Sequence, residues 1–287
     1  MDTADWLFAF ASVRGAGHLT DDTPCQDACR VEVFDGFGIA VVCDGAGSAR
    51  HSDWGAQHVA DSGIFQLKQL MEEHQWHHTQ PFPQADVWQK YARQLMLNLR
   101  NDLENFALNK DIPFRELACT VITTVWCDKG LLCAHIGDGR AGWRDNSKKW
   151  NALICPFRGE LANETVFITS DWSGNNDHAF TDRFVRGHVV EQNVNAFCLL
   201  SDGCEKASFS CNLYDEQTGV FYDPNLPYPA FFDPNVKALR QLHEQKMSQE
   251  QVNQLWASFL KSGNERLLRE PDDKTMVLVV RNTALDL

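Results

Sequence analysis

The 287-residue sequence predicts an α+β fold with mainly antiparallel sheet. Three observations carry that expectation. Short β-branched and aromatic runs cluster near the N-terminus and again after Pro113. Two long stretches of helical apolar spacing lie between these groups. A strong terminal run, TMVLVVRN, follows a second helical region. Runs of strands separated by runs of helices favour α+β over alternating βαβ units.

In chain order, residues 6–13 and 30–42 read as strands, with Asp35-Gly36 as a hairpin signal between two apolar runs. From Ser52 to about His78, Ala56, Val59, Ala60, Gly63, Ile64, Leu67, Leu70 and Met71 form one apolar stripe. Pro81 and Pro83 mark a loop. A second helix is expected over about 85–108, with Trp88, Tyr91, Leu95, Leu99, Leu103 and Phe106 in register. The runs CTVITTVWC, LLCAHIGDG, AGWRD, KKWNALIC, VFITS and FCLLSDG then read as strands. Residues 208–235, rich in Asp, Asn, Pro and aromatics, read as an irregular insertion. Helices follow over about 235–246 and 249–262, the second opening on a Ser248/Gln251 capping box. The last strand is set apart by these helices, so it is expected to insert among earlier strands. With no repeat, low-complexity tract or linker, one domain over 1–287 is expected.

The composition, 44% hydrophobic and 23% charged, is that of an ordinary soluble globular protein. A formal net charge of −13 argues against nucleic-acid or anionic-membrane partners. It leaves a phosphate substrate open, since carboxylates that hold Mg²⁺ or Mn²⁺ attract phosphate. The start MDTADWLFAFASVRG lacks a secretory pattern, and no apolar run reaches the roughly 18 residues of a membrane span. A cytoplasmic location is expected. Ten cysteines scatter along the chain with no C-x-x-C pair, and Cys43, Cys127, Cys133 and Cys198 sit within apolar strands. Buried reduced thiols are the better reading than a disulfide framework or a zinc ribbon.

The chemistry concentrates at acidic strand ends. Asp44 ends FGIAVVCDG, Asp138 ends LLCAHIGDG and Asp202 ends AFCLLSDG, while Asp272 begins the last strand. One Asp-Gly is an ordinary turn. Four acidic strand ends differ if the strands pack side by side, because crowded carboxylates take up protons or require a cation. Oxygen ligands select Mg²⁺, Mn²⁺ or Ca²⁺.

The ordered blocks CQDA (25–28), VVCDGAGSA (41–49), HIGDGRAG (135–142), LLSDGCEKA (199–207) and DDKTMVLVV (272–280) resemble the signature of the type-2C, metal-dependent serine/threonine protein phosphatases. The resemblance spans nearly the whole chain. It implies a central sandwich of two antiparallel sheets with helices on both outer faces. It also implies Asp44 as the ligand bridging two ions and the Gly45 carbonyl as a ligand of one. Asp202 and Asp272 would hold one metal, with Asp27 in its surroundings and Asp138 on a weaker third ion. Phosphorylated proteins are the implied substrates, and a cognate serine/threonine kinase the implied partner. Two metals activate a water and neutralise the phosphoryl oxygens, so no protein nucleophile is needed. None of the ten cysteines has Arg six positions on, so the cysteine-dependent phosphatase loop is absent.

Three positions depart from the family pattern. Gln26 stands where Glu usually helps to hold the second metal, and offers only a neutral oxygen. Ala46 follows the first Asp-Gly, where a proposed proton-donating His often stands. Asp22 occupies the place of a phosphate-binding Arg, leaving Arg14 and His18 as candidates for that contact.

Other signals are weaker. Gly137, Gly139 and Gly142 fit G-x-G-x-x-G, yet no convincing helix follows. His74 and His78 are spaced i, i+4 without a companion Glu motif, which is better read as a solvated helix end. Cys43 and Cys204, beside the acidic blocks, read as core fillers. Two further functions stay open: a catalytically weak phosphatase-like module that binds phosphoproteins, favoured by Gln26 and Ala46, and a phosphatase for small esters. Retention of Asp44, Asp202 and Asp272 opposes the first.

Overall fold

The computed structural model describes residues 6–20, 22–157, 165–171, 181, 183–191 and 193–282. Two five-stranded antiparallel sheets form its centre. One runs β1 (Trp6–Val13), β14 (Lys274–Arg281), β9 (Val194–Leu200), β6 (Arg140–Asp145), β7 (Trp150–Ala152). The other runs β2 (Ala28–Phe34), β3 (Phe37–Cys43), β4 (Val121–Cys127), β5 (Gly130–Ile136), β8 (Arg186–Glu191). The last strand does insert among earlier ones, between β1 and β9.

The period-2 alternation of buried strands builds the layers. In β3, Ala40 and Val42 face the interior between the sheets, with Trp126, Phe197 and Val277. Ile39, Val41 and Cys43 face the other way, onto the apolar stripes of α2 (Ser52–His74) and α3 (Ala85–Lys110). In β14, Val277 and Val279 face inward, while Met276, Leu278 and Val280 pack on α5 (Pro229–Glu244) and α6 (Gln249–Ser262). The result is helices, sheet, sheet, helices, the expected α+β sandwich. Among the described residues no helix is long and apolar enough to cross a membrane.

Several local expectations are corrected. The helix from Ser52 stops at His74, where Gln75 turns left-handed (φ 54°); this carries Trp76 back onto Trp88 and Tyr91. VFITS is a turn rather than a strand: Arg100 gathers the Ile168 and Ser170 carbonyls, at 2.6 and 2.9 Å, and the Ser170 hydroxyl accepts from the Phe167 N–H. Strand β8 was not anticipated. The insertion is more ordered than expected. After the short helix α4 (Glu205–Ser208) come a ribbon of β10 (Phe209–Ser210) with β13 (Leu226–Pro227) and a hairpin of β11 (Leu213–Asp215) with β12 (Val220–Tyr222). Helix α5 starts at Pro229 because proline is well tolerated in a first helical turn. The Ser248/Gln251 capping box forms as expected. A five-residue helix α7 (Glu265–Arg269), capped by Asn264, follows, and one of the same length near the N-terminus, α1 (Ala16–Thr20), carries His18.

Candidate metal centre at one rim of the sandwich

Antiparallel pairing carries the acidic strand ends to one rim. Asp44 follows β3 directly, and its backbone is locked to the chain entering β4: its carbonyl accepts the Thr120 N–H at 2.8 Å and its N–H donates to the Thr120 hydroxyl at 3.3 Å. Gly45 bridges to Cys119, and a Cβ there would collide with the Gln26 carbonyl. Asp202 opens a short turn after β9, where a Cβ on Gly203 would collide with the Asp273 carbonyl. Both Asp-Gly pairs therefore need glycine so that neighbouring chain segments can close on the aspartates.

Charge shows how tightly the carboxylates gather. Burial raises the Asp44 carboxyl well above the ordinary range, and Asp27, Asp202, Asp138 and Asp272 add repulsion. Burial likewise lifts Asp202 to about 8, reinforced by Asp138 and Asp272. Asp27 rises to about 7 through burial and the charge of Asp273, although the Ser201 hydroxyl partly offsets this. Five carboxylates from five separate segments thus lie within each other's fields. Such a group protonates or takes up cations.

A hard divalent ion fits this donor set. The ligands are oxygens, and the Oδ1 atom of Asp202 is buried with no hydrogen-bond partner. Among the described residues no three acidic, histidine or cysteine side chains stand close enough to hold an ion by themselves. The carboxylates are neighbours in charge without closing a cage of their own.

The remaining candidates divide. Gln26 is buried beside the Asp44 loop, its Nε2 donating to the Ala49 carbonyl at 3.5 Å. Asp272 is exposed, and its Oδ1 accepts the Asp273 N–H at 2.8 Å. His18 lies against that same segment, donating from Nδ1 to Asp273 Oδ1 at 2.8 Å. Arg14 is engaged elsewhere, with Asp22 at 3.3 Å and the Thr23 carbonyl at 3.2 Å. Ala46 packs with Ala49, Ala118 and Phe167 and offers no proton.

Sequence reasoning missed the supports of this rim. The Ser201 hydroxyl donates to Asp27 at 2.7 Å and accepts the Thr275 N–H at 3.0 Å. Asp273 is buried, and accepts the N–H groups of Gly15 at 2.8 Å and Gln26 at 2.6 Å. Arg140, in the Asp138 block, is fully buried and binds Glu205, Asp223 and Asn225. The doubled Asp272-Asp273 was the one available signal, since a second acid beside a ligand calls for its own partners.

Comparison with known proteins agrees with this architecture. The chain is 28% identical over 282 residues to serine/threonine-protein phosphatase 3 of Escherichia coli (strain K12), covering 96% of this chain and 98% of that protein. Among solved structures, the serine/threonine phosphatase of S. agalactiae superposes with a TM-score of 0.55 at 13% identity, covering 96% of this chain and 99% of that one. Stp1, a serine/threonine phosphatase of Staphylococcus aureus, gives 0.52 at 14% identity, covering 96% and 95%. At such low identity these two likenesses speak to the fold. The family model of Protein phosphatase 2C matches residues 14–255, most of the chain and all but one of the acidic blocks. On that match the chain belongs to the protein phosphatase 2C family.

Proposed function

We propose that this protein is a metal-dependent phosphatase that removes phosphate from phosphoserine and phosphothreonine in proteins, with Asp44, Asp202 and Asp272 holding its ions. One observation carries the assignment of residues: the Asp44 carboxyl is held well above the ordinary range, by desolvation first and then by the charges of four other aspartates that come from separate segments. An enzyme that worked without cations would gain nothing from that repulsion.

When bound, a pair of Mg²⁺ or Mn²⁺ ions supplies an activated water and Lewis-acid neutralisation of the phosphoryl oxygens. The chain's part is to hold and orient. Asp44, fixed at both backbone groups by Thr120, would hold both ions, with the Gly45 carbonyl as a further ligand. Asp202 would offer its unpartnered Oδ1, and Asp272 would join it from the segment two residues before β14. Asp27, oriented by Ser201, would support them, Gln26 would offer a neutral oxygen to a second ion, and Asp138 would serve a weaker third. Few direct carboxylates per ion suit Mg²⁺, which keeps several waters. Of the two phosphate candidates, His18 is better placed: it is fixed by the residue after Asp272, whereas Arg14 is engaged with Asp22.

In this reading one domain over 1–287 acts in the cytoplasm on substrates made by a serine/threonine kinase. The test is hydrolysis of a phosphoserine peptide. Turnover with Mn²⁺ should vanish with EDTA and fall more than about a hundredfold in Asp44→Asn, as expected for loss of a ligand. Turnover that survives chelation, or none with any metal, would refute it. A silent binding module would hold the peptide intact.

A further inference from the structure

We infer that a groove beside the metal centre seats the polypeptide flanking the phosphorylated residue and favours an acidic segment with an apolar side chain. This rests on the phosphatase reading. The groove encloses about 890 Å³ and is lined by Lys206, Phe209, Leu213, Tyr228, Arg266 and Pro271 among others. It begins where the acidic rim ends. Pro271 precedes Asp272 in the chain, and Lys206 feels the charge of Asp202.

Its charge runs against that of the molecule. In a chain of net charge −13, this groove gathers Lys206, Arg266 and Arg269. Lys206 is paired with Glu270 at 3.0 Å, and Arg269 with Glu265. Arg266 instead donates to the Lys206 carbonyl, and no carboxylate pairs with it among the described residues. A carboxylate arriving from outside would complete it.

The apolar side comes from the insertion. Leu213 and Tyr228, at the groove, remain 41% and 48% exposed. Tyr222 stands opposite Leu213 in the β11–β12 register, so the two share a face. An exposed apolar patch rimmed by charge marks an interaction site. The hairpin is also anchored to the catalytic rim, because buried Arg140 grips Asp223 at 2.7 Å and Asn225 at 2.6 Å just beyond β12. An extended chain advances about 3.3 Å per residue. The neighbours of a phosphoserine held beside Asp272 therefore pass over a groove that starts one residue away. That continuity selects the substrate's own flank as occupant, over a second copy of this chain or a free anion.

The test compares p-nitrophenyl phosphate, which has no flank, with phosphothreonine peptides flanked by Glu and Leu or by Lys and Ala. Fluorescence anisotropy of the same labelled peptides reads binding independently of turnover. Wild type should prefer the Glu/Leu peptide in both readouts. Arg266→Glu should raise KM and Kd for that peptide about fivefold, the scale of a surface ion pair reversed. It should improve the Lys/Ala peptide and leave p-nitrophenyl phosphate unchanged. Leu213→Ser should weaken the Glu/Leu peptide alone. Equal loss on all three substrates, or no flank preference in wild type by either readout, would overturn the groove assignment. Absence of any metal-dependent turnover would instead strike the phosphatase reading, and anisotropy would still decide the groove.

Discussion

His18 donates from Nδ1 to the carboxylate of Asp273 at 2.8 Å, and the same carboxylate, 1% exposed, holds the backbone of Gly15 and Gln26. One acid thus ties the N-terminal segment to the start of the final strand. Asp273→Ala would strand two buried N–H groups and an imidazole. We expect a loss of about 3 kcal/mol in urea unfolding. Asp273→Asn, which keeps one acceptor oxygen, should fall between. A cost for the alanine variant within the scatter of surface substitutions would show that the pairing is incidental.

Arg140 makes the second long-range tie. Its guanidinium bonds Glu205 at 2.9 Å and Asp223 at 2.7 Å while fully buried. Lysine cannot reproduce that planar fork. Arg140→Lys should therefore destabilise the fold, and Arg140→Met should cost about 3–5 kcal/mol by leaving the acids without their cation. Both variants should make the 211–226 segment a site of early cleavage in limited proteolysis. Unchanged cleavage would mean that the insertion holds itself.

The acidic rim sets a pH dependence whose sign is unusual for carboxylates. Asp27 and Asp202 are raised from 3.8 to about 7 and about 8, and Asp44 is raised well above 3.8. Above the ordinary carboxylate range these three carboxyls thus keep protons in the metal-free folded state that they have lost in the unfolded chain. Below about 6.5 the buried His135 and half-buried His188, whose pKa values burial lowers, oppose this with the reverse slope; above it stability must fall as pH rises through about 8. Calorimetric melting in EDTA should show a declining Tm across this window. Mn²⁺ should remove the decline at its alkaline end, with proton release on binding. Asp44→Asn should flatten the metal-free profile. A metal-free Tm that climbs with pH across that window would contradict the gathering of charge.

Legibility differed by the range of the interaction. Strand ends were readable because apolar runs and Asp-Gly turns are local, and so Asp44, Asp138 and Asp202 could be nominated before their proximity was known. The place of the last strand followed from its isolation behind helices. What could not be read were partners far along the chain. Ser201 and Asp27 are 174 residues apart, and Arg140 and Asn225 are 85 apart. VFITS has strand composition, yet Arg100 draws two of that segment's carbonyls inward and makes it a turn. Tertiary hydrogen bonds there outweigh β-propensity.

Gln26 offers the sharpest remaining comparison. It sits 7% exposed, its amide donating to the Ala49 carbonyl and its backbone carbonyl pressed against Gly45. Gln26→Glu exchanges a donor for a charge at nearly constant shape. Without metal it sets a carboxylate against the Ala49 carbonyl and adds to the repulsion around Asp44, so the variant should lose at least about 1 kcal/mol. With Mn²⁺ the same charge becomes a ligand, and calorimetric titration should show affinity rising about tenfold. The two effects have opposite signs, which separates them from simple damage: a poorly folded variant would lose stability and affinity together. Should affinity stay constant while stability falls, Gln26 lies outside the ion's reach.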